Sequence, residues 1–155
     1  PLMLSFIGNI DARVDAKGRA FVPAQFRKQL GENIHFVLRK GVFEDCLVLY
    51  PESTWEEIIE VLRSKLSRWN RQEEQLFRQF VAEADRIELE ENGRMLIPKR
   101  MIEAVGIQND IRFVGCDSSI EIWPVGKVEE GFKPADDFAE ALGKLMQSRP
   151  NESGN

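Results

Sequence analysis

A short turn of the form acid-x-x-Gly-Arg occurs twice in this chain, 75 positions apart, as Asp15-Ala16-Lys17-Gly18-Arg19 and Glu90-Glu91-Asn92-Gly93-Arg94. The residues around each copy repeat in phase. A shift of 75 aligns Val14 with Leu89, Phe21-Val22-Pro23 with Leu96-Ile97-Pro98, Phe26 with Met101, and Leu30-Gly31 with Val105-Gly106. After a two-residue deletion, Leu47-Val48-Leu49-Tyr50-Pro51 matches Ile120-Glu121-Ile122-Trp123-Pro124, so the duplication covers 10–51 and 85–124. A unit of about 40 residues with four short strands and one helical turn cannot bury its own apolar face. The two units must therefore pack on each other, and an internal repeat of this kind decides the fold before any single element does.

Each unit reads alike. A strand arrives over 6–14 or 86–89, and Asp or Glu with Gly at the fourth position suits a type I turn closed by a left-handed glycine. A second strand leaves over 19–22 or 94–97. Pro23 and Pro98 suit the first turn of a short helix, and Gly31 and Gly106 suit its C-terminal end. A hairpin follows in each copy, 34–38 with 47–50 and 111–114 with 120–123. Between the units, Ser53-Thr54-Trp55-Glu56 has capping-box spacing. Trp55, Ile58, Ile59, Leu62 and Leu66 then make a helical stripe. A second helix is expected from about Asn70, burying Leu76, Phe77, Phe80 and Val81. Phe138, Leu142, Leu145 and Met146 mark a last helix, with Phe138, like Trp55, expected in the core in preference to a subunit interface. The expected divisions are a first repeat 4–51, a helical insert 52–84, a second repeat 85–125, a helical extension 126–147 and a disordered tail 148–155. The expected fold is mixed and β-rich with short helices, a pseudo-two-fold β-barrel of interleaved antiparallel strands with an outer helical layer.

Charge narrows function only weakly. The net charge is −5, yet residues 1–40 carry seven Lys/Arg against three acids. Electrostatic fields are local, screened within about 10 Å, so a basic face on an acidic body is compatible with nucleic acid; a plain solvated surface explains the same numbers. No apolar stretch is long enough to span a membrane as a helix, and the apolar N-terminus lacks the basic region and cleavage site of a signal peptide. Cys46, Cys116 and His35 have no metal-ligand spacing. Free thiols are preferred over a disulfide, which the sequence leaves open. An enzyme is disfavoured, because His35 has no nucleophile arrangement around it, and Asp136-Asp137 suit a helix N-terminus.

The candidate binding residues are Arg13, Asp15, Lys17, Gly18 and Arg19 at the first turn and Arg86, Asn92, Gly93 and Arg94 at the second. Hairpin geometry alone accounts for Asp15, Gly18, Asn92 and Gly93. It does not account for Arg after Gly in both copies. An Arg on a rigid turn can fork onto a phosphate or onto guanine O6 and N7 in the major groove, which a two-stranded ribbon can enter. An ion pair of Arg19 with Asp15 is the structural alternative.

These residues carry a family resemblance. Asp15 to Arg19 with Phe21-Val22-Pro23-Ala24-Gln25-Phe26-Arg27 resembles the first repeat of the MraZ family, and Glu90 to Arg94 with Met95-Leu96-Ile97-Pro98 resembles its second. Leu47 to Pro51 with Trp55, and Ile120 to Trp123, also match, so the resemblance spans about 4–125. It implies fused AbrB-like swapped-hairpin units. It also implies a bacterial transcriptional regulator of the division and cell-wall gene cluster, a ring-shaped homo-oligomer that reads short promoter repeats through the paired motifs. Double-stranded promoter DNA and further copies of the chain are the partners implied. No cofactor, metal or small-molecule substrate is expected, and the implied location is cytoplasmic and nucleoid-associated. Glu90 departs from the Asp of the family pattern and caps a turn less well. The alternative is a protein-interaction module resembling AbrB-fold antitoxins, suggested by the acidic C-terminal region with Phe132 and Phe138.

Overall fold

The computed structural model describes residues 4–32 and 35–148. The expected start of a strand at Ile34, and the tail beyond Ser148, lie outside these residues. The first unit runs β1 (Asn9–Arg13), β2 (Arg19–Phe21), α1 (Ala24–Leu30), β3 (His35–Lys40) and β4 (Leu47–Pro51). Two helices follow, α2 (Glu52–Lys65) and α3 (Arg71–Ala82). The second unit runs β5 (Asp85–Glu88), β6 (Arg94–Leu96), α4 (Lys99–Val105), β7 (Asp110–Cys116) and β8 (Ser119–Pro124). A 3-10 segment (Val125–Gly131) and α5 (Ala135–Gln147) end the described chain.

The strands pair across the units. One antiparallel sheet has the order β1-β7-β8-β4-β3-β5, and β2 pairs only with β6. Exchanging the units turns this order into itself, so an approximate two-fold axis runs between β4 and β8 and between β2 and β6. The register obeys the same symmetry: Arg19 faces Leu96 as Phe21 faces Arg94, and Leu47 faces Ile122 as Leu49 faces Ile120. The interleaving expected from the repeat is present, because each unit can cover its apolar strands only with the other's. The barrel, however, is open: β1 and β5 are the two edges of the larger sheet, and the β2–β6 ribbon stands apart from it. Nor do β1 and β2 pair beyond their shared turn. Val14 and Val22 are both buried, so the chain dives into the core on either side of the turn instead of running on as a ladder. The first strand is also shorter than expected, since Gly8 has a φ of 92° and Phe6 makes only an isolated bridge to Asp117.

The core lies between the sheet and the short helices. Phe6 and Phe26 meet edge to face at 5.9 Å, among Leu38, Met95, Met101 and Phe113, all buried. On the other face of β3, Val37 packs with Trp55 and Ile59 of α2, and Trp55 stacks on Phe80 of α3 at 5.3 Å. A strand covered on both faces reads as a continuous apolar run, as 36–38 does.

The helices depart from expectation in three places. The capping box is not used: α2 starts at Glu52 with Pro51 at its N-cap and no capping side chain. β4 runs into the helix through Pro51, which leaves Ser53 already inside the first turn, and Thr54 Oγ1 instead donates to the Ser118 carbonyl at 2.9 Å. In α3, Phe77 and Phe80 reach the α2 cluster, whereas Leu76 and Val81 are exposed, because the helix rests on one narrow stripe. Phe138, Leu142, Leu145 and Met146 of α5 are all exposed; among the described residues no sheet or helix covers that stripe. Asn70, by contrast, caps α3 as expected, its Oδ1 accepting from the Gln72 and Glu73 amides.

One buried cation ties α3 to the sheet. Arg39 donates through Nε to the Phe80 carbonyl at 2.9 Å and through Nη2 to Glu83 at 3.1 Å, with its guanidinium 4.5 Å from the Phe80 ring centre. Arg39→Ala should lower unfolding free energy by about 2–3 kcal/mol, the scale of charged hydrogen bonds lost from a buried site. Urea denaturation checks it; an unchanged midpoint would mean that α3 is held by apolar contact alone.

Candidate nucleic-acid interface

The β2–β6 ribbon brings the two Gly-Arg turns side by side. Strand alternation sends Ala20 and Met95 into the core and leaves Arg19, Phe21, Arg94 and Leu96 on the outer face, partly exposed. Each turn is also bonded to the opposite strand: the Gly18 carbonyl accepts from the Ile97 amide at 2.8 Å, and the Gly93 carbonyl from the Val22 amide at 3.0 Å. Backbone bonds thus tie both turns to the ribbon.

Within each turn the backbone geometry is the same and the side-chain chemistry is not. The Gly18 amide donates to the Asp15 carbonyl at 3.0 Å and the Asp15 amide to the Arg19 carbonyl at 2.9 Å; the Gly93–Glu90 and Glu90–Arg94 bonds are their counterparts at 2.9 and 2.8 Å. Asp15 Oδ1 also accepts from the amides of Lys17 and Arg19, each at 2.9 Å. The Arg19 amide foremost, then that of Lys17 and the nearby Arg19 and Arg94 charges, hold this carboxyl below its ordinary value. In the second turn the capping oxygen comes from Asn92, whose Oδ1 accepts from the Arg94 amide at 3.2 Å. Glu90, one methylene longer than Asp15, reaches away from its own turn.

That reach sets the electrostatics of the face. Glu90 Oε2 lies 3.3 Å from Arg19 Nε and its Oε1 lies 3.6 Å from Arg94 Nε. Arg19 therefore pairs with the other unit's Glu90, not with Asp15. The Arg94 contact is a charge pair beyond hydrogen-bond distance, which leaves the buried Arg94 Nε without a hydrogen-bond partner. Arg94 also sits over Phe21, 5.7 Å from ring centre to guanidinium carbon. A groove of about 400 Å³ runs beside these residues, lined by Arg13, Asp15, Arg19, Phe21, Arg94 and Asn109 among others.

The two turns have different supports. Gly18 and Gly93 have φ of 90° and 87°, values that L-residues adopt at a cost. Gly18 abuts the Ile97 carbonyl, whereas Gly93 lies under the guanidinium of Arg27, which donates through Nε to the Val22 carbonyl at 2.8 Å. The sequence reading gave Arg27 no place among the turn residues and missed its seat on the second turn. The available signal was the repeat itself, in which Ile102 occupies the equivalent position and packs near Gly18.

The remaining candidates fall unequally. Lys17 is exposed at the tip of the first turn, and Arg13 is exposed at the end of β1, 3.4 Å from Asp110. Arg86 is not gathered with them: it lies within β5 and pairs with Glu52 at the start of α2. Around the second turn stand Glu88, Glu90 and Glu91, with Arg27 and Lys28 opposite, so that turn is far more acidic than the first. Elsewhere, Cys46 and Cys116 are free thiols; burial foremost, with Glu121 nearby, pushes Cys46 up to about 12. His35 is exposed at the start of β3, and Asp136 and Asp137 occupy the first turn of α5. No helix among the described residues is long and apolar enough to cross a membrane.

Known proteins resemble the chain over nearly its full length. A family model described as "MraZ protein", antitoxin-like, matches residues 6–79 and again 80–131. The chain is 46% identical over 155 residues to a "Transcriptional regulator MraZ" of Bacteroides fragilis, covering 99% of this chain and 98% of that relative. It is 46% identical to the protein of the same name from Bacteroides thetaiotaomicron, over 98% of this chain and 99% of the relative. A namesake from Lachnoclostridium phytofermentans is 42% identical over 76% of this chain and 80% of its own length.

Proposed function

The chain belongs to the MraZ family, a family of transcriptional regulators and not of enzymes, and from that premise we propose how it binds DNA. It is a DNA-binding transcriptional regulator. The β2–β6 ribbon enters the major groove, Arg19 and Arg94 fork onto guanine edges or phosphate, and Arg13 and Lys17 flank the contact on the phosphate backbone. Asp15, Gly18, Asn92 and Gly93 hold the turns. The carrying observation is the register that sets Arg19 and Arg94 on one face of one ribbon, related by the approximate two-fold axis. Arg86, which pairs with Glu52, contributes to the general field at most.

The targets are short promoter repeats of the division and cell-wall gene cluster, read by a ring of copies in the cytoplasm at the nucleoid. The repeats 4–51 and 85–125 form one binding unit, with 52–84 and 126–147 as additions to it. Few cations on one ribbon neutralise few phosphates, so a single protomer binds weakly. Linking several multiplies the effective concentration by about two to four orders of magnitude, which supports a multivalent assembly for a chain of net charge −5. The test is gel-shift titration against promoter DNA, with light-scattering mass measured with and without the duplex. Affinity should fall at least about tenfold between 50 and 200 mM salt, as phosphate neutralisation by several cations requires. A monomer with salt-independent, sequence-blind binding would refute the reading. Recovery of a stoichiometric protein partner in its place would favour the antitoxin-like interaction module.

A further inference from the structure

We infer that Glu90 is a specificity-determining residue of the DNA-binding ribbon, a built-in counter-ion that a phosphate must displace from between Arg19 and Arg94 and that a base edge need not. The inference rests on the proposal that these two arginines contact DNA. Its ground is the difference between two equivalent positions. Asp15 spends its carboxylate on its own turn, on the amides of Lys17 and Arg19. Glu90 makes no such bond; Asn92 does that work in the second turn. The Glu90 carboxylate is therefore free to lie between the two arginines, one oxygen toward each Nε.

This placement treats the two kinds of ligand differently. The Nε edges face Glu90, and among the described residues neither arginine's Nη atoms make a hydrogen bond. The Nη edge is the one left to fork onto an acceptor pair. A phosphate brings a full negative charge close to Glu90 and is repelled. Guanine O6 and N7 offer acceptors with only partial charge, and a neighbouring cytosine N4 amino group is a donor that a carboxylate can accept from. Glu90 thus weakens sequence-blind attachment more than it weakens base reading. Both Glu90 and the arginines are only about one-third exposed, so solvent screens the effect without abolishing it.

The experiment measures, by fluorescence anisotropy, binding to a duplex selected in vitro by the wild-type chain and to a shuffled duplex of equal length and composition. Removing one charge about 5 Å from a phosphate in a mostly aqueous setting corresponds to about a threefold to tenfold change in affinity. Glu90→Gln should raise affinity for the shuffled duplex by that factor while affinity for the selected duplex changes less, so that the ratio between them falls. Glu90→Asp keeps the charge but is too short to reach Arg19, and should raise shuffled binding by a smaller factor. Equal gains on both duplexes, no gain in Glu90→Gln with an unchanged oligomer mass and melting curve, or wild-type behaviour of Glu90→Asp would each overturn the inference. Arg19→Ala and Arg94→Ala separate the two levels. If both leave DNA binding intact, the ribbon reading itself fails; if they weaken it while Glu90→Gln changes nothing, only the role of Glu90 fails.

Discussion

Arg19→Ala is expected to weaken binding to the promoter duplex by tenfold to a hundredfold per engaged subunit, on the scale of about 1–3 kcal/mol for a bidentate base contact, and to leave the fold intact. Structurally, Arg19 contributes one partly exposed pair with Glu90, and such pairs are worth about 0–1 kcal/mol. Its melting curve and oligomer mass should therefore match the wild type. Arg94→Ala should have a smaller effect, because Arg94 is packed on Phe21 and stands in the more acidic turn. Gel-shift titration of both variants at fixed salt decides the matter. Unchanged affinity in Arg19→Ala with an intact assembly would remove the ribbon from the mechanism. In the proposed ring the losses compound, so the defect should steepen with the number of repeats in the duplex.

Gly18→Ala should be the more damaging of the two turn substitutions, lowering stability by about 3 kcal/mol and the melting temperature by several degrees. The first part of the cost is common to both glycines, since a left-handed conformation costs an L-residue about 1–2 kcal/mol. The second part is not. At Gly18 an added Cβ would stand 2.9 Å from the Ile97 carbonyl oxygen, a backbone atom directly after β6 that cannot swing aside. At Gly93 it would meet the side chain of Arg27, which can move aside by giving up its bond to the Val22 carbonyl. Gly93→Ala should therefore cost less than Gly18→Ala, about 2 kcal/mol, the left-handed conformation plus part of that bond. Since the Gly18 carbonyl holds the Ile97 amide, Gly18→Ala should also disturb the ribbon and reduce DNA binding. Thermal melts of the two variants side by side give the comparison; equal losses would show that conformation alone, and not the carbonyl contact, sets the cost.

The repeat, its turns and the arginine that follows each turn glycine were readable because each is local. A positive-φ glycine three residues after the acid that opens the turn, a proline opening a short helix, and alternation in a three-residue strand leave their marks within a few positions. The pseudo-symmetry followed too, since two equal units with unburied faces have little choice but to cover each other. What the local pattern could not carry was the identity of each side chain's partner. Leu76, Phe138 and Leu145 have helical spacing and the apolar character of core residues, yet burial depends on whether anything faces them, and among the described residues all three are left exposed. Ser53 has the spacing of a cap, but the helix began earlier because β4 delivered Pro51 to the cap position.

The duplicated Gly-Arg turn was determined by sequence alone, down to the glycine conformation, because turn chemistry acts over four residues. Tertiary structure decided that β2 and β6 pair with each other, and therefore that the two arginines share one face. It also decided that Glu90 serves both of them, which no count along the chain contains: the residues that meet there are 71 positions apart, brought together by a strand exchange across the two-fold axis.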